Sequence, residues 1–437
     1  MKITEIKSAV LDGKFDTAFK KLYGDDCDIS NVRARYAIAT DRFAELYADK
    51  LPSDAEVSLF SVPGRSEISG NHTDHNHGKV IAASISLDII AVAAKTDKPE
   101  IRIKSEGFPE DIVSLDDVKT VIKDEYYKAS AIIRGMCDGL QNCGHVYGGY
   151  YAYTTSNVLK GSGLSSSAAF EVMVGNILNH FYNGGVIDAV QIAKISQYAE
   201  NVHFGKPCGL MDQTACAVGG FVAIDFLDTA APVVEKLDFD LYAHGYSLCI
   251  VNTGGNHADL NDDYASIPAE MKAVAGYFGK PYLRGIDKKD IIAAIPTLRT
   301  KFGDRAVMRA LHFCNENERV TAQTEALKNG DIKSFLKGVR ASGLSSATML
   351  QNAFTVKNVE EQGISLALAL AGEVLNDKPD TAYRVHGGGF AGTMQAFVPN
   401  KYVDEFNALM RSVFGKDSAY VLKVRLYGAV MLDKLCK

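Results

Sequence analysis

Residues Gly161 to Phe170 read GSGLSSSAAF, glycines followed by three serines and the first apolar turn of a helix. Glycines let a backbone approach a ligand closely. Serines opening a helix leave several unpaired N–H groups and a positive dipole end converging on one point. That is the design of a phosphate cradle, with Gly161, Ser162, Gly163, Leu164, Ser165, Ser166, Ser167 and Ala168 as its candidate residues. No lysine follows the last glycine, so the GxxxxGK[ST] loop is not met. A serine-capped helix after a turn is the plain alternative. From Ser165 onward Ala169, Val172, Ile177 and Phe181 fall near one helical face, and Gly184-Gly185 is placed to stop the helix.

Upstream, EVSLFSV (Glu56 to Val62) alternates like a strand, and PGRSEISGNHTDHNHG, Pro63 to Gly78, is expected to form a loop directly after it. That loop packs Arg65, Glu67, Asn71, His72, Asp74, His75 and His77 together, too many hydrogen-bonding groups for a routine turn. His72, Asp74, His75 and His77 are zinc-capable, but their spacing matches no trusted zinc signature, so a polar ligand-binding loop is preferred. Downstream, HGGGFAGT (His386 to Thr393) contains a formal GxGxxG in Gly387, Gly389 and Gly392. A strand-like AFV follows it almost at once, which excludes the dinucleotide-binding context. What remains is a tight turn or a second glycine loop closing on a ligand.

Around these segments, strands and helices interleave throughout. GGFVAIDF and SLCIVNT read as strands, residues 304–328 and 358–375 as helices, and Gln395 to Val398 and Tyr420 to Arg425 as strand-like. This argues for an α/β or α+β protein. The chain has 437 residues, 23% of them charged, no low-complexity tract and a net charge of −6. Those values disfavour disorder and supply no global attraction for nucleic acid. The longest apolar-rich segment, Val80 to Ala94, is interrupted by Ser84, Ser86 and Asp88, so no membrane span is expected. Eight cysteines without a CxxC pair, and a polar N-terminus where a signal peptide needs an apolar run, predict a reduced, cytoplasmic protein.

Taken in chain order, the three motifs resemble those of the galactokinase branch of the GHMP kinases: an N-terminal sugar signature, a central GLSSSAA nucleotide loop and a C-terminal glycine-rich motif. GKPCGLMDQTA (Gly205 to Ala215) and RALHFCNENERV (Arg309 to Val320) extend the resemblance, which runs from about residue 54 to the end. It implies an α+β, two-domain GHMP kinase fold of mixed β-sheets with helices, the active site lying in the interdomain cleft. The expected division is a mostly helical extension over 1–50, an N-terminal domain over 51–226 and a C-terminal domain over 227–437. Residues 1–50 look longer than is usual in the family and are left unassigned.

The resemblance also implies roles. Asp212 would be the catalytic base and Arg65 would stabilise charge. Gly161 to Ala168 would wrap the triphosphate of ATP, with Gly387 and Gly389 on the opposite side. Ser167 and Glu200 would hold Mg²⁺, whose preferred ligands are hard oxygens. His72, Asp74, Gly209 and Tyr264 would contact the sugar, and Glu67 and Asn71 belong to the same surface. The implied reaction is ATP-dependent phosphorylation of a sugar at its anomeric hydroxyl, with D-galactose the expected substrate. The expected partners are ATP and a small sugar, without nucleic acid or membrane, and a monomer is favoured.

Some residues depart from the family pattern. Glu67 stands where the signature has Asn, Asn71 where it has Glu, and His75 replaces a tyrosine. ASGLSSAT (Ala341 to Thr348) lacks a histidine that often follows serine there, and Ala391 replaces a glycine, a change expected to be mild unless a positive φ is required. The Glu67/Asn71 exchange is either compensated in space or marks another sugar, such as N-acetylgalactosamine, arabinose or galacturonate. A non-catalytic sugar and ATP sensor is the competing class, and the intact GLSSSAA loop speaks against it.

Overall fold

The computed structural model describes residues 1–52, 54–159, 163–255 and 260–436. The chain opens with helices α1 (Ile3–Leu11), α2 (Asp16–Tyr23) and α3 (Ile29–Tyr47), followed by strands β1 (Val57–Ser69), β2 (Lys79–Lys95), β3 (Glu100–Ser105) and β4 (Glu110–Ser114). Next come α4 (Ala129–Asn142), β5 (Tyr150–Ser156), α5 (Ser166–Tyr182), α6 (Ala189–Tyr198), α7 (Met211–Val218), β6 (Phe221–Asp225), β7 (Val233–Leu237) and β8 (Tyr246–Asn252). The rest is α8 (Asn261–Tyr277), α9 (Lys288–Ala293), α10 (Ile295–Lys328), α11 (Ile332–Ser345), α12 (Gly363–Leu375), β9 (Ala382–Val385), β10 (Thr393–Pro399), α13 (Val403–Phe414), β11 (Ala419–Leu422), β12 (Val430–Met431) and α14 (Leu432–Leu435).

Among the described residues the strands form two sheets. The larger runs β12-β1-β2-β5-β3-β4, with β6 and β7 branching from β2, and only β3 and β5 pair in parallel. The smaller is β11-β8-β10-β9, antiparallel throughout. Residue 226, where the sequence analysis put the boundary between the halves, lies in the hairpin joining β6 to β7, so the first sheet carries on to Leu237.

One expectation needs correction. The segment Pro63 to Ser69 is not a loop after a strand: β1 continues through it to Ser69. Proline cannot donate to a ladder and is tolerated at bulges, and the pairing of β1 with β2 shifts register between Pro63 and Arg65 and again between Glu67 and Ser69. The strand therefore survives the proline, and Arg65 and Glu67, two residues apart, point to the same side.

Both faces of the large sheet are buried, which explains why β2 reads as an almost continuous apolar run instead of alternating. Phe60, Val62, Ile89, Ala91, Ala93 and Ala152 pack into the main core with α4, α5 and α6. The alternate residues Val57, Leu59, Ile90, Val92, Ala94, Tyr151 and Tyr153 pack against Phe19, Tyr36, Phe43 and Tyr47 of α2 and α3. The first fifty residues thus form a helical layer that covers the second face of the sheet.

That layer is locked by one buried ion. Asp88, fully buried in β2, accepts from Arg35 Nη1 (2.6 Å), Tyr23 Oη (2.6 Å), Ser61 Oγ (2.5 Å) and Arg425 Nη1 (3.2 Å). Its main chain exchanges bonds with Asn157, at the root of the segment leading to the serine-rich loop. Burial alone would raise the Asp88 carboxyl; Arg35 and Arg425 outweigh it and hold the group below the usual carboxylate range. Asp88→Ala leaves two guanidiniums facing an empty site, and we expect a loss of about 3–5 kcal/mol in urea unfolding. Because the folded value is depressed, the wild-type contribution is present above about pH 4 and disappears as pH falls through the lower folded value, a trend that D88A lacks.

Candidate active site

Arg65 is held almost out of water between β1 and two other elements. Its Nε donates to Asp212 Oδ1 (2.7 Å), its Nη2 to Asp212 Oδ2 and its Nη1 to the Gly163 carbonyl, while its main-chain N–H donates to the Leu164 carbonyl. The approach of β1 to this loop requires glycine at position 64, where a Cβ would lie 2.7 Å from the Leu164 oxygen. Asp212 occupies the first turn of α7, where the helix dipole favours an anion. It also accepts from Ser165 Oγ (2.6 Å), and Ser165 takes a left-handed φ of 58° just before α5. Desolvation would raise the Asp212 carboxyl, but the bidentate Arg65 and Ser165 dominate and hold it below the ordinary range, so it stays ionised. Its side chain is 30% exposed.

Beside this pair lies a cavity of about 680 Å³. Its lining combines the apolar Phe108, Tyr127, Ile132, Phe170 and Phe204 with Ser166 and Ser167 of α5 and with Glu171, Glu200 and Lys206. Gly161 and Ser162 lie outside the described residues. Leu164 and Ala168 send their side chains into the core instead. Glu200 sits on a π-turn (Ala199–Phe204) after α6 and accepts from Lys206 Nζ (3.2 Å) and Gln213 Nε2 (2.9 Å). The same Gln213 nitrogen donates to Glu171 Oε2 (3.0 Å), while Gln213 Oε1 is buried with no partner among the described residues. Burial first, then the neighbouring Glu200 and Asp212, pushes the Glu171 carboxyl well above its ordinary value. The Ser167 hydroxyl and the Glu200 carboxylate are hard oxygen donors of the kind Mg²⁺ takes, and that ion keeps several positions for water and phosphate. Among the described residues no three His, Cys, Asp or Glu side chains are grouped to hold a metal by themselves.

The sugar-signature residues gather on the other side of Arg65. His72 Nε2 donates to the Gly388 carbonyl (2.9 Å). Gly209 lies against Asp74, and a Cβ there would fall 2.9 Å from Asp74 Oδ2. Tyr264 donates its hydroxyl to the Gly389 carbonyl (2.9 Å) and stands edge-on to Phe390. Gly387 and Gly389 do not line the large cavity; with Gly163, Tyr264 and His386 they line a smaller one of about 210 Å³. Gly389 cannot be replaced, since a Cβ would sit 2.1 Å from the Asn352 oxygen at a φ of +80°, whereas Ala391 is not among the positive-φ residues. The remaining histidines turn elsewhere: His75 Nδ1 pairs with Asn76 (2.9 Å) and His77 stacks on Tyr282.

Asn71 is bound on all sides. Its Nδ2 donates to Glu67 Oε1 and the Gly387 carbonyl (both 2.8 Å), and its Oδ1 accepts from Asn352 Nδ2 (2.8 Å) and Ser346 Oγ (3.2 Å). These four bonds exhaust its side-chain capacity. Its main-chain carbonyl accepts from His312 Nε2 (3.0 Å), a buried imidazole that burial holds near a pKa of about 4 and so keeps neutral. Glu67 Oε1 also accepts from Arg384 Nη2 (3.1 Å), while Oε2 has no hydrogen bond among the described residues. Sequence reasoning missed His312, Ser346, Asn352 and Arg384, as it missed Glu171, Lys206 and Gln213. His312 lay inside the quoted Arg309 to Val320 stretch, and its four-residue spacing from buried Glu316 was the available signal.

Residues 129–220 match the GHMP kinases N terminal domain and residues 41–95 the galactokinase galactose-binding signature. A curated galactokinase of Streptomyces coelicolor is 31% identical over 378 residues, covering 86% of this chain and 92% of that protein. One from Lactobacillus helveticus is 30% identical over 383 residues, covering 83% and 92%. Among solved structures, Lactococcus lactis galactokinase complexed with galactose shares the fold with a TM-score of 0.73 at 23% identity, covering 91% of this chain and 99% of that one. Methanococcus jannaschii mevalonate kinase does so at 0.59 and 14%, covering 84% and 98%. With its α+β architecture of mixed sheets and packed helices, the chain belongs to the galactokinase family of ATP-dependent sugar kinases.

Proposed function

We propose that this protein transfers the γ-phosphoryl group of ATP to the anomeric hydroxyl of D-galactose, giving galactose 1-phosphate and ADP. The observation that carries this reading is the Arg65–Asp212 pair, set between a nucleotide-sized cavity and the sugar-signature residues. The adenine packs against apolar lining such as Phe108, Ile132 and Phe204, and the phosphates reach the α5 N-terminus at Ser166 and Ser167. Asp212 accepts the proton of the anomeric hydroxyl, whose oxygen then bonds to the γ-phosphorus as the bond to the ADP oxygen breaks. Arg65 keeps Asp212 ionised beforehand and offsets the negative charge gathering on the sugar oxygen and the phosphoryl group. Ser167 and Glu200 would hold Mg²⁺, which shields the phosphate charge when bound.

His72, Asp74, the Gly209 backbone and Tyr264 hold the sugar, with Gly387 and Gly389 closing over it. Asn71 has no hydrogen-bonding capacity left for a substrate, so its role is to position the loop. Glu67, on the same side of β1 as Arg65, keeps Oε2 for a sugar hydroxyl. The exchange of these two residues is thus a compensated rearrangement within a galactose site, not a mark of another sugar.

Five measurements test this. In an ADP-release assay across galactose, N-acetylgalactosamine, glucose, arabinose, galacturonate and mannose, we expect turnover of about 1–100 s⁻¹ on galactose; activity confined to another sugar would overturn the substrate. Asp212→Asn lowers kcat by about 10³-fold, and Arg65→Gln, which removes the guanidinium that holds the half-buried Asp212 carboxyl down, moves the acid limb of kcat/KM upward by about one pH unit or more. Glu67→Gln raises the galactose KM by about tenfold while the ATP KM stays within about twofold, whereas Asn71→Ala acts mainly on stability, costing about 2–4 kcal/mol in urea unfolding.

A further inference from the structure

A third cavity, of about 310 Å³, lies at the C-terminal end of α5, away from the serines that open that helix. Asn176, Asn179 and His180 of α5, Ala189 and Ile192 of α6, Ala217 of α7 and the C-terminal segment 429–435 enclose it. It therefore meets the C-terminal ends of the two helices whose N-termini carry Ser166, Ser167 and Asp212. Its volume falls at the lower edge of the range of small-ligand pockets.

The wall is apolar except at a few points. Asn179 is satisfied internally, its amide exchanging bonds with the Ile187 main chain. Asn176 is not: it is only 5% exposed, and its Nδ2 has no partner among the described residues. A buried amide donor left unpaired costs about 1–3 kcal/mol, so a partner of the opposite kind is called for. His180 stands tilted against Phe60 at 6.0 Å, and its buried Nδ1 is likewise without a partner. Burial and the nearby Lys434 push that imidazole down to about 4, so it is neutral and has one N–H to donate. Lys434 makes no ion pair with the described residues, and among the described residues it is the one charged side chain lining the cavity, with no Asp or Glu beside it. An unpaired amide donor, an imidazole and a free ammonium above an apolar floor of Ile187, Ile192 and Leu435 select one chemistry.

We propose that this cavity is a binding site for a small organic carboxylate, its apolar body on the isoleucine and leucine floor and its carboxylate facing Asn176 and Lys434. The site is separate from the Arg65–Asp212 centre, and its test does not depend on which sugar is phosphorylated. The probe is isobutyrate, compared with the neutral isostere isobutyramide and with inorganic phosphate, in equilibrium titrations of the full chain followed by ligand-observed NMR. We expect saturable isobutyrate binding, at least about tenfold weaker binding of the amide and of phosphate, a loss of at least about tenfold in Lys434→Glu, and retention in Lys434→Arg. Lys434 lies on the surface, so K434E keeps its ATP and galactose turnover when no probe is present. Asn176→Leu, which removes the donor and fills the space, gives the same loss by an independent route. Absence of saturable isobutyrate binding would mean that water alone fills the cavity and would overturn the proposal. So would equal binding of the amide, equal binding of phosphate, or isobutyrate binding unchanged in K434E.

Discussion

A guanidinium removed from water must be met by an anion and by carbonyls, and Arg65 imposes that demand on three separate parts of the chain. Asp212 comes from the first turn of α7, the Gly163 carbonyl from the serine-rich loop and the charge itself from the middle of β1. None of these groups can shift alone without stranding a buried charge. The pair is therefore an arrangement held by the cost of breaking it, which keeps a carboxylate ionised in a partly closed site.

The scaffold beneath follows the same logic on a larger scale. A sheet buried on both faces needs two helical layers, and the first fifty residues supply the second. Apolar packing alone would leave that layer free to slide. The Asp88 cluster pins it by joining α2, α3, β1, β2 and the segment containing Arg425 around one carboxylate. Its main-chain exchange with Asn157 carries that rigidity to the base of the serine-rich loop.

The two sides of the sugar-signature region are tied together through Asn71. Glu67 lies on β1, Gly387 in the turn between β9 and β10, and Ser346 and Asn352 after α11, so one amide bridges three distant stretches of sequence. A glutamate at position 71 has no N–H to give to Glu67 or Gly387 and would put two carboxylates together. Glu67 and Asn71 therefore make sense as a pair, in a way neither does alone.

Local chemistry made some of this legible in the sequence alone. The serine-rich stretch declared itself because helix-opening serines after glycines have few other uses, and the order of motifs around it pointed to the family. The strand and helix character of SLCIVNT and of residues 304–328 was readable because burial on a regular element leaves a periodic trace. What lay beyond reach were properties of pairs distant in sequence. That Pro63 sits at a bulge and does not end β1 depends on the strand beside it. That the first fifty residues form a covering layer depends on the existence of a bare sheet face, and that Asn71 is saturated depends on Ser346, Asn352 and Gly387 arriving from the other end of the chain. Sequence records which groups a residue can offer; only the tertiary structure decides which of those offers are already taken.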